Sequence, residues 1–319
     1  MEGLRQLPDE SVHCVVTSPP YWGLRDYGVE GQIGLESTYG TYVSTLVSVF
    51  EDIRRVLRND GTLWLNLGDC YAGSWGAQSR GSDTPGTLEG GPMLSARQIQ
   101  AHPKTTLTGS KNRFPGLKPK DLVGLPWRVA FALQSSGWWL RSDIIWSKPN
   151  PMPESVTDRP TKAHEYIFLL TKSERYWYDH EAIKEDAVAD HPSGNGFKRD
   201  ARISYQNSDG TARGNDEQWT DVGGLRNKRS VWTIATAPYA EAHFATFPPE
   251  LPEICIKAGC PVGGTVLDPF GGAGTTGLVA DRLQRDAILI ELNPTYAAMA
   301  DRRIKGDRGG LLDLMEAAE

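Results

Sequence analysis

Two short stretches of this chain carry residue types that could do chemistry together. The first is Thr17-Ser18-Pro19-Pro20-Tyr21, which closes an apolar run containing Val12, Val15 and Val16. Adjacent prolines have no N–H, so this tip offers carbonyl oxygens and no main-chain donor at those two positions. Ser18 adds a hydroxyl that can accept a hydrogen bond, and Tyr21 adds a flat face. A rigid acceptor site beside an aromatic plane suits a planar ligand bearing an amino group, as some nucleobases do.

The second stretch is Asp268-Pro269-Phe270-Gly271-Gly272-Ala273-Gly274-Thr275-Thr276-Gly277. Its glycines let a chain turn tightly and approach a ligand closely. Gly272, Gly274 and Gly277 satisfy the G-x-G-x-x-G pattern of dinucleotide sites. The preceding apolar run ends in Asp268, however, and a carboxylate there would repel a pyrophosphate. It suits instead a cationic ligand, such as the ammonium and sulfonium of S-adenosylmethionine. Glu291 closes the next apolar run, where an acidic residue holds ribose hydroxyls in nucleoside-binding sheets.

Both stretches need strands that end side by side. Val12 to Val16 reads as a strand, and Tyr42 to Leu57 has helical periodicity that stops before the turn signal Asn59-Asp60-Gly61. Thr62 to Leu67 is then a second strand, and strand–helix–strand order implies a parallel sheet. Leu125 to Ser135 predicts a helix, and Trp138 to Trp146 and Glu165 to Thr171 predict strands. The last quarter predicts a helix over 250–258, a strand over 264–268, a helix over 274–283, a strand over 287–291 and a closing helix over 296–304. The expectation is an α/β fold with a mixed, mostly parallel sheet. Its halves are 1–179, with an irregular insertion at about 73–120, and 231–305; an inserted recognition segment occupies 180–230 and a tail 306–319.

Composition narrows the class. No apolar run approaches the roughly 20 residues that span a bilayer, and Met1-Glu2-Gly3-Leu4-Arg5-Gln6 is no apolar leader. The four cysteines (Cys14, Cys70, Cys255, Cys260) form no C-x-x-C pair, which predicts a reducing cytoplasm and no metal site. A net charge of -6 weighs against a nucleic-acid partner, but the charge is uneven. Between Ser74 and Lys120 seven basic residues, Lys111 and Arg113 among them, face two acidic ones, and Arg226-Asn227-Lys228-Arg229 forms a second cluster. Those five named cations are the candidate DNA contacts. His13, His102 and the Trp138-Trp139 pair read as structural.

Taken together, the two stretches resemble the catalytic and cofactor motifs of the β-class DNA amino-methyltransferases. The catalytic motif comes first and the cofactor motif last, which is the permuted order of that class. His243-Phe244-Ala245-Thr246-Phe247-Pro248 is similar to the segment that lines the methionine side of the pocket. Asp158-Arg159-Pro160-Thr161 through Phe168 is similar to the stretch ahead of the recognition region. The resemblance implies a Rossmann-like S-adenosylmethionine-dependent fold acting on double-stranded DNA as a monomer or homodimer. Asp268, Pro269, Phe270, Gly272, Gly274, Thr275, Glu291 and Phe247 would hold the cofactor, and Ser18, Pro19, Pro20 and Tyr21 would be catalytic. Family members carry a further strand ahead of the segment resembling Leu4 to Val12. This chain starts at Met1, which predicts a truncated start or a more open adenine side.

An exocyclic amine conjugated with its base is a poor nucleophile. Acceptors aimed at its hydrogens, here the Pro19 carbonyl and Ser18 hydroxyl, would release the lone pair, with Tyr21 stacking on a base flipped from the duplex. No cysteine occupies the tip, which argues against methylation at cytosine C5. In the resembling family Ser at the first motif position favours cytosine N4, and adenine N6 is the alternative. Competing readings are a nicotinamide-dependent oxidoreductase, a DNA-binding protein without catalysis, and a methyltransferase acting on RNA or a protein amide.

Overall fold

The computed structural model describes residues 2–24, 26–72, 114–186, 225–237 and 247–316. It divides into two compact units, one of Met1–Trp177 with Ser230–Glu319 and the other of Tyr178–Arg229.

The first unit is built on one sheet. After a single turn of helix, α1 (Glu2–Arg5), come β1 (Val12–Thr17), α2 (Tyr39–Val56), β2 (Leu57–Leu67), α3 (Leu125–Ser135), β3 (Trp139–Ser147) and β4 (His164–Thr171). A short antiparallel pair of β5 (Glu185–Asp186) and β6 (Leu225–Arg226) lies in the second unit. The chain then returns through β7 (Val231–Thr233), α4 (Glu250–Gly259), β8 (Thr265–Asp268), α5 (Thr275–Arg282), β9 (Asp286–Leu289) and α6 (Pro294–Glu316). The sheet order is β7-β3-β4-β2-β1-β8-β9. Only β4 runs against the rest, pairing antiparallel with both β2 and β3. The expected mixed, mostly parallel sheet is therefore present.

Apolar runs explain which strands are central. Val12, Cys14, Val15 and Val16 are all buried, as a strand covered on both faces requires. α2 buries Leu46, Val49, Phe50 and Ile53 at helical spacing, and with α3 (Val129, Ala130, Leu133) it covers one face of the sheet. Phe50 is fully buried there, so Phe50→Ala should cost about 3–5 kcal/mol. α2 starts where the Thr38 hydroxyl accepts from the Thr41 N–H at 3.1 Å.

Two boundaries differ from the sequence expectation. Asn59-Asp60-Gly61 does not separate helix from strand; α2 runs directly into β2, and these residues form an irregular excursion inside the strand. Val12 pairs with Leu57 while Cys14 already pairs with Thr62, so the surplus residues bulge out. The closing helix continues to Glu316, so most of the expected tail from 306 onward is helical. No helix of the described residues is long and apolar enough to cross a membrane.

Candidate active site

The chain runs from β1 to β2 on one side, whereas β8 and β9 lie on the other, so the topological switch falls between β1 and β8. Ligands of open α/β sheets bind outside the strand ends at such a point. Pairing of Val15 with Leu267 brings Thr17 and Asp268 together there. The Thr17 hydroxyl donates to Asp268 Oδ1 at 2.6 Å, and the Thr276 hydroxyl to Oδ2 at 2.7 Å. The Phe270 N–H adds a third bond to Oδ1 at 3.1 Å. Burial pushes the Asp268 carboxyl up to about 6 against the pull of these donors, and the charge of Glu291 adds to the rise. A cation close by would relieve that cost. Farther down the same strand pair, the Thr265 N–H donates to His13 Nδ1 at 3.0 Å, a structural use of that histidine.

The glycine turn has one closed side and one open side. Gly274 has φ 76°, and a Cβ on it would lie 2.7 Å from the Cβ of Ala300 in α6. At Gly277 a Cβ would meet Leu289 at 2.8 Å, so this glycine lets α5 lie close on β9. At Gly272, with φ 50°, a Cβ would meet only the Phe270 carbonyl, at 3.8 Å, which leaves the backbone approachable. Glu291 braces the turn, its two oxygens accepting from the Gly272 and Asn293 N–H groups at 2.8 Å each. A carboxylate pair beside approachable backbone fits a ligand with a cationic end and sugar hydroxyls.

Other sequence candidates take different places. Thr275 is buried and its hydroxyl accepts from Arg303 at 3.0 Å, so it ties α5 to α6. Pro269 is buried, whereas Phe270 is half-buried and packs against the core. Phe247 is partly exposed just ahead of α4.

At the tip, Pro19 is buried, and Ser18, Pro20 and Tyr21 are half-buried. The Pro20 carbonyl is occupied by the Tyr42 hydroxyl at 2.9 Å. Trp22 is buried, packs edge-on against Tyr39 and Phe114, and donates to the Glu36 carbonyl at 2.9 Å, which anchors the tip from behind. The Tyr21 ring lies against Gly68, where a Cβ would come within 2.6 Å of Cε2. Its hydroxyl donates to Glu165 Oε2 at 2.6 Å and lies 3.2 Å from Asn66 Oδ1. Ser18 in turn donates to the Tyr21 hydroxyl at 3.5 Å. Glu165 is ion-paired with Lys148. Burial, and then the Glu165 charge, push the Tyr21 phenol well above its usual range.

Sequence reasoning missed Thr17, Thr276, Asn66, Lys148 and Glu165 as partners of the site. One signal was available for Glu165, a charged residue beside the apolar run Ile167 to Leu170. Arg226 and Arg229 both bind Glu185 Oε1, at 3.0 and 2.8 Å, and Lys228 lies 4.0 Å from Oε2. Lys111 and Arg113 lie outside the described residues, as do 73–113 of the expected insertion and 187–224 of the recognition segment.

A seven-stranded sheet with one antiparallel strand, a glycine turn after β8 and an acidic residue after β9 define the Rossmann-like fold of S-adenosylmethionine-dependent methyltransferases. The Ser-Pro-Pro-Tyr tip narrows the class. The chain belongs to the DNA methylase family of N6 and N4 methyltransferases, whose family model matches residues 12–302. It is 47% identical over 315 residues to the type II methyltransferase M.XycI of Xanthomonas campestris pv. cyanopsidis, covering 98% of this chain and 88% of that one. It is 46% identical over 303 residues to the type II methyltransferase M.SmaI of Serratia marcescens, covering 95% of this chain and 87% of that one. It shares its fold with the PvuII DNA methyltransferase (cytosine-N4-specific), with a TM-score of 0.58 at 20% identity over 94% of this chain and 82% of that one. A DNA modification methylase of Thermus thermophilus, described as putative and solved complexed with S-adenosyl-L-methionine, matches with a TM-score of 0.54 at 23% identity over 96% and 92% of the two chains.

Proposed function

We propose that this DNA methyltransferase acts on the exocyclic N4 amine of cytosine, in a base flipped from double-stranded DNA, with S-adenosylmethionine as donor. The observation that carries the reading is the neutral Ser18 hydroxyl at the tip, next to the Pro19 carbonyl and the Tyr21 ring. Thr17, one residue earlier, is bonded to the cofactor-side carboxylate Asp268 at 2.6 Å. When bound, the cofactor supplies an electrophilic methyl group on a sulfonium. Asp268 and Glu291 provide the negative charge that favours a cation and accepts ribose hydroxyls. Gly272 gives close backbone approach, Pro269, Phe270, Gly274 and Thr275 hold the turn in place behind it, and Phe247 flanks the pocket ahead of α4.

The tip works on the amine. Its hydrogens are drawn toward the Pro19 carbonyl and the Ser18 hydroxyl, which frees the nitrogen lone pair. Tyr21, seated on Gly68, stacks on the base. Proximity and orientation then supply much of the acceleration. In this reading residues 1–179 and 231–305 are halves of one catalytic domain, and 180–230 reads the target.

Expression of the chain in a host that lacks DNA methylation tests the base. Genomic DNA digested to nucleosides should contain N4-methylcytosine. N6-methyladenine in its place would move the activity to the alternative base of the same family.

A further inference from the structure

We propose that Ser18, Tyr21 and Glu165 form a proton relay that removes the proton displaced from the target amine, with Glu165 as its terminal acceptor. The relay rests on the amine-methylating reading above, and it holds for either base.

A proton must leave. The amine lone pair forms the new N–C bond while the C–S electron pair departs with sulfur, so the nitrogen is left cationic with one hydrogen too many. Ser18 touches that amine, but a neutral hydroxyl can take a proton only by passing its own onward.

The geometry provides the onward path, with every donor pointing the same way. Ser18 donates to the Tyr21 hydroxyl at 3.5 Å, and Tyr21 donates to Glu165 Oε2 at 2.6 Å. In one concerted shift the amine N–H bond breaks and its proton bonds to Ser18 Oγ. The Ser18 proton moves to Tyr21 Oη, and the Tyr21 proton moves to Glu165. Ser18 and Tyr21 end neutral as they began, and Glu165 becomes a carboxylic acid; nothing is oxidised or reduced. The first link is long and must close by about 0.7 Å to reach the usual O–H···O distance, as catalytic hydrogen bonds tighten on substrate binding.

The partners of Glu165 distinguish an acceptor from a mere anchor. Anchoring a phenol needs only a neutral acceptor, and the Asn66 amide oxygen already lies 3.2 Å from Tyr21 Oη. Glu165 is a carboxylate besides, and its other oxygen is ion-paired with Lys148. The Lys148 ammonium sits 4.2 Å over the Trp146 ring, a second brace from β3. The Glu165 and Lys148 side chains are 17% and 18% exposed, so the pair is shielded yet keeps an exit for the proton to solvent.

Tyr21→Phe keeps the ring and Glu165→Gln keeps the shape, so each interrupts the relay alone. Methyl transfer is measured in a single turnover on plasmid DNA from a methylation-free host, in H2O and in D2O, with S-adenosylmethionine affinity measured by calorimetry. Each variant should slow transfer on the order of 10²-fold with unchanged cofactor affinity. The double variant should be no slower than the slower single, and the solvent isotope effect of the wild type should shrink in all three. A wild-type rate in Tyr21→Phe, losses that multiply in the double variant, or an unchanged isotope effect would overturn the relay while leaving the function intact. A wild-type protein that methylates no DNA would overturn the function, and the relay with it.

Discussion

The Thr17 hydroxyl and the Asp268 carboxylate meet at 2.6 Å across a sequence separation of 251 residues, and this bond joins the two halves of the site. Thr17 is the last residue of β1 and directly precedes the tip, while Asp268 ends β8 and opens the glycine turn. In the proposed reading, the acceptor site for the amine and the site for the methyl donor are thereby fixed to each other.

Thr17→Val tests this link, since valine keeps the shape and removes the donor. It leaves a buried carboxylate one hydrogen bond short, which costs about 1–3 kcal/mol. Urea denaturation should record that loss, and S-adenosylmethionine should bind more weakly. Unchanged stability and affinity together would mean that the bond does not organise the site.

Asp268 sets a pH dependence with a definite sign. Its carboxyl stands at about 6, above the ordinary 3.8, because it is buried. The folded protein therefore holds this proton longer than the unfolded chain. The group's contribution to stability falls as pH rises from 3.8 to about 6, then stays level. A cationic ligand needs the ionised form, so calorimetric affinity for S-adenosylmethionine should rise through about pH 6 and plateau above it. In Asp268→Asn binding should be weak and nearly flat with pH. A wild-type affinity that stays constant from about pH 5 to about pH 8 would contradict the assignment.

How much of this could be read from the sequence depended on contiguity. The tip and the glycine turn are unbroken runs whose chemistry follows from their residue types, and the strand and helix ahead of the turn have plain apolar patterns. Glu165 reaches Tyr21 only because β4 runs antiparallel beside β2, and an apolar run such as Ile167 to Leu170 carries no sign of direction. Thr17 stood in the motif, yet its role needs the β1–β8 pairing, which residues 14–15 and 266–267 establish. Asn59-Asp60-Gly61 read as a turn because those residues do bend the chain; sheet pairing on either side absorbed the bend as a bulge. Nor does the sequence say that Glu185 pairs with Arg226 and Arg229 of the basic cluster.

Gly68→Ala probes the seat of the tyrosine. The added Cβ would come within 2.6 Å of the Tyr21 ring, and the ring must shift from its place. DNA methylation should fall by about tenfold or more, because misplacement of about 1 Å can cost 10²-fold. Cofactor affinity should stay at its wild-type value, as the glycine turn is untouched. Loss of cofactor binding in this variant would show that the two halves do not separate this way.

Glu185→Gln tests the second basic cluster. It releases Arg226 and Arg229 from their carboxylate, and an ion pair with Arg229 65% exposed should cost under about 1 kcal/mol when lost. If these arginines meet phosphates, DNA affinity should rise severalfold and fall more steeply with salt. Fluorescence anisotropy at several salt concentrations measures both. An unchanged affinity and slope would remove Arg226 and Arg229 from the DNA contacts.

The reaction itself gives the most direct test. Purified protein is incubated with unmethylated duplex DNA and S-adenosylmethionine carrying a trideuterated methyl group, and the DNA is digested for mass spectrometry. The account predicts a trideuterated methyl on cytosine N4, abolished in Asp268→Ala and strongly reduced in Tyr21→Ala. Label on adenine N6 or cytosine C5, or in none of the nucleosides, would contradict it.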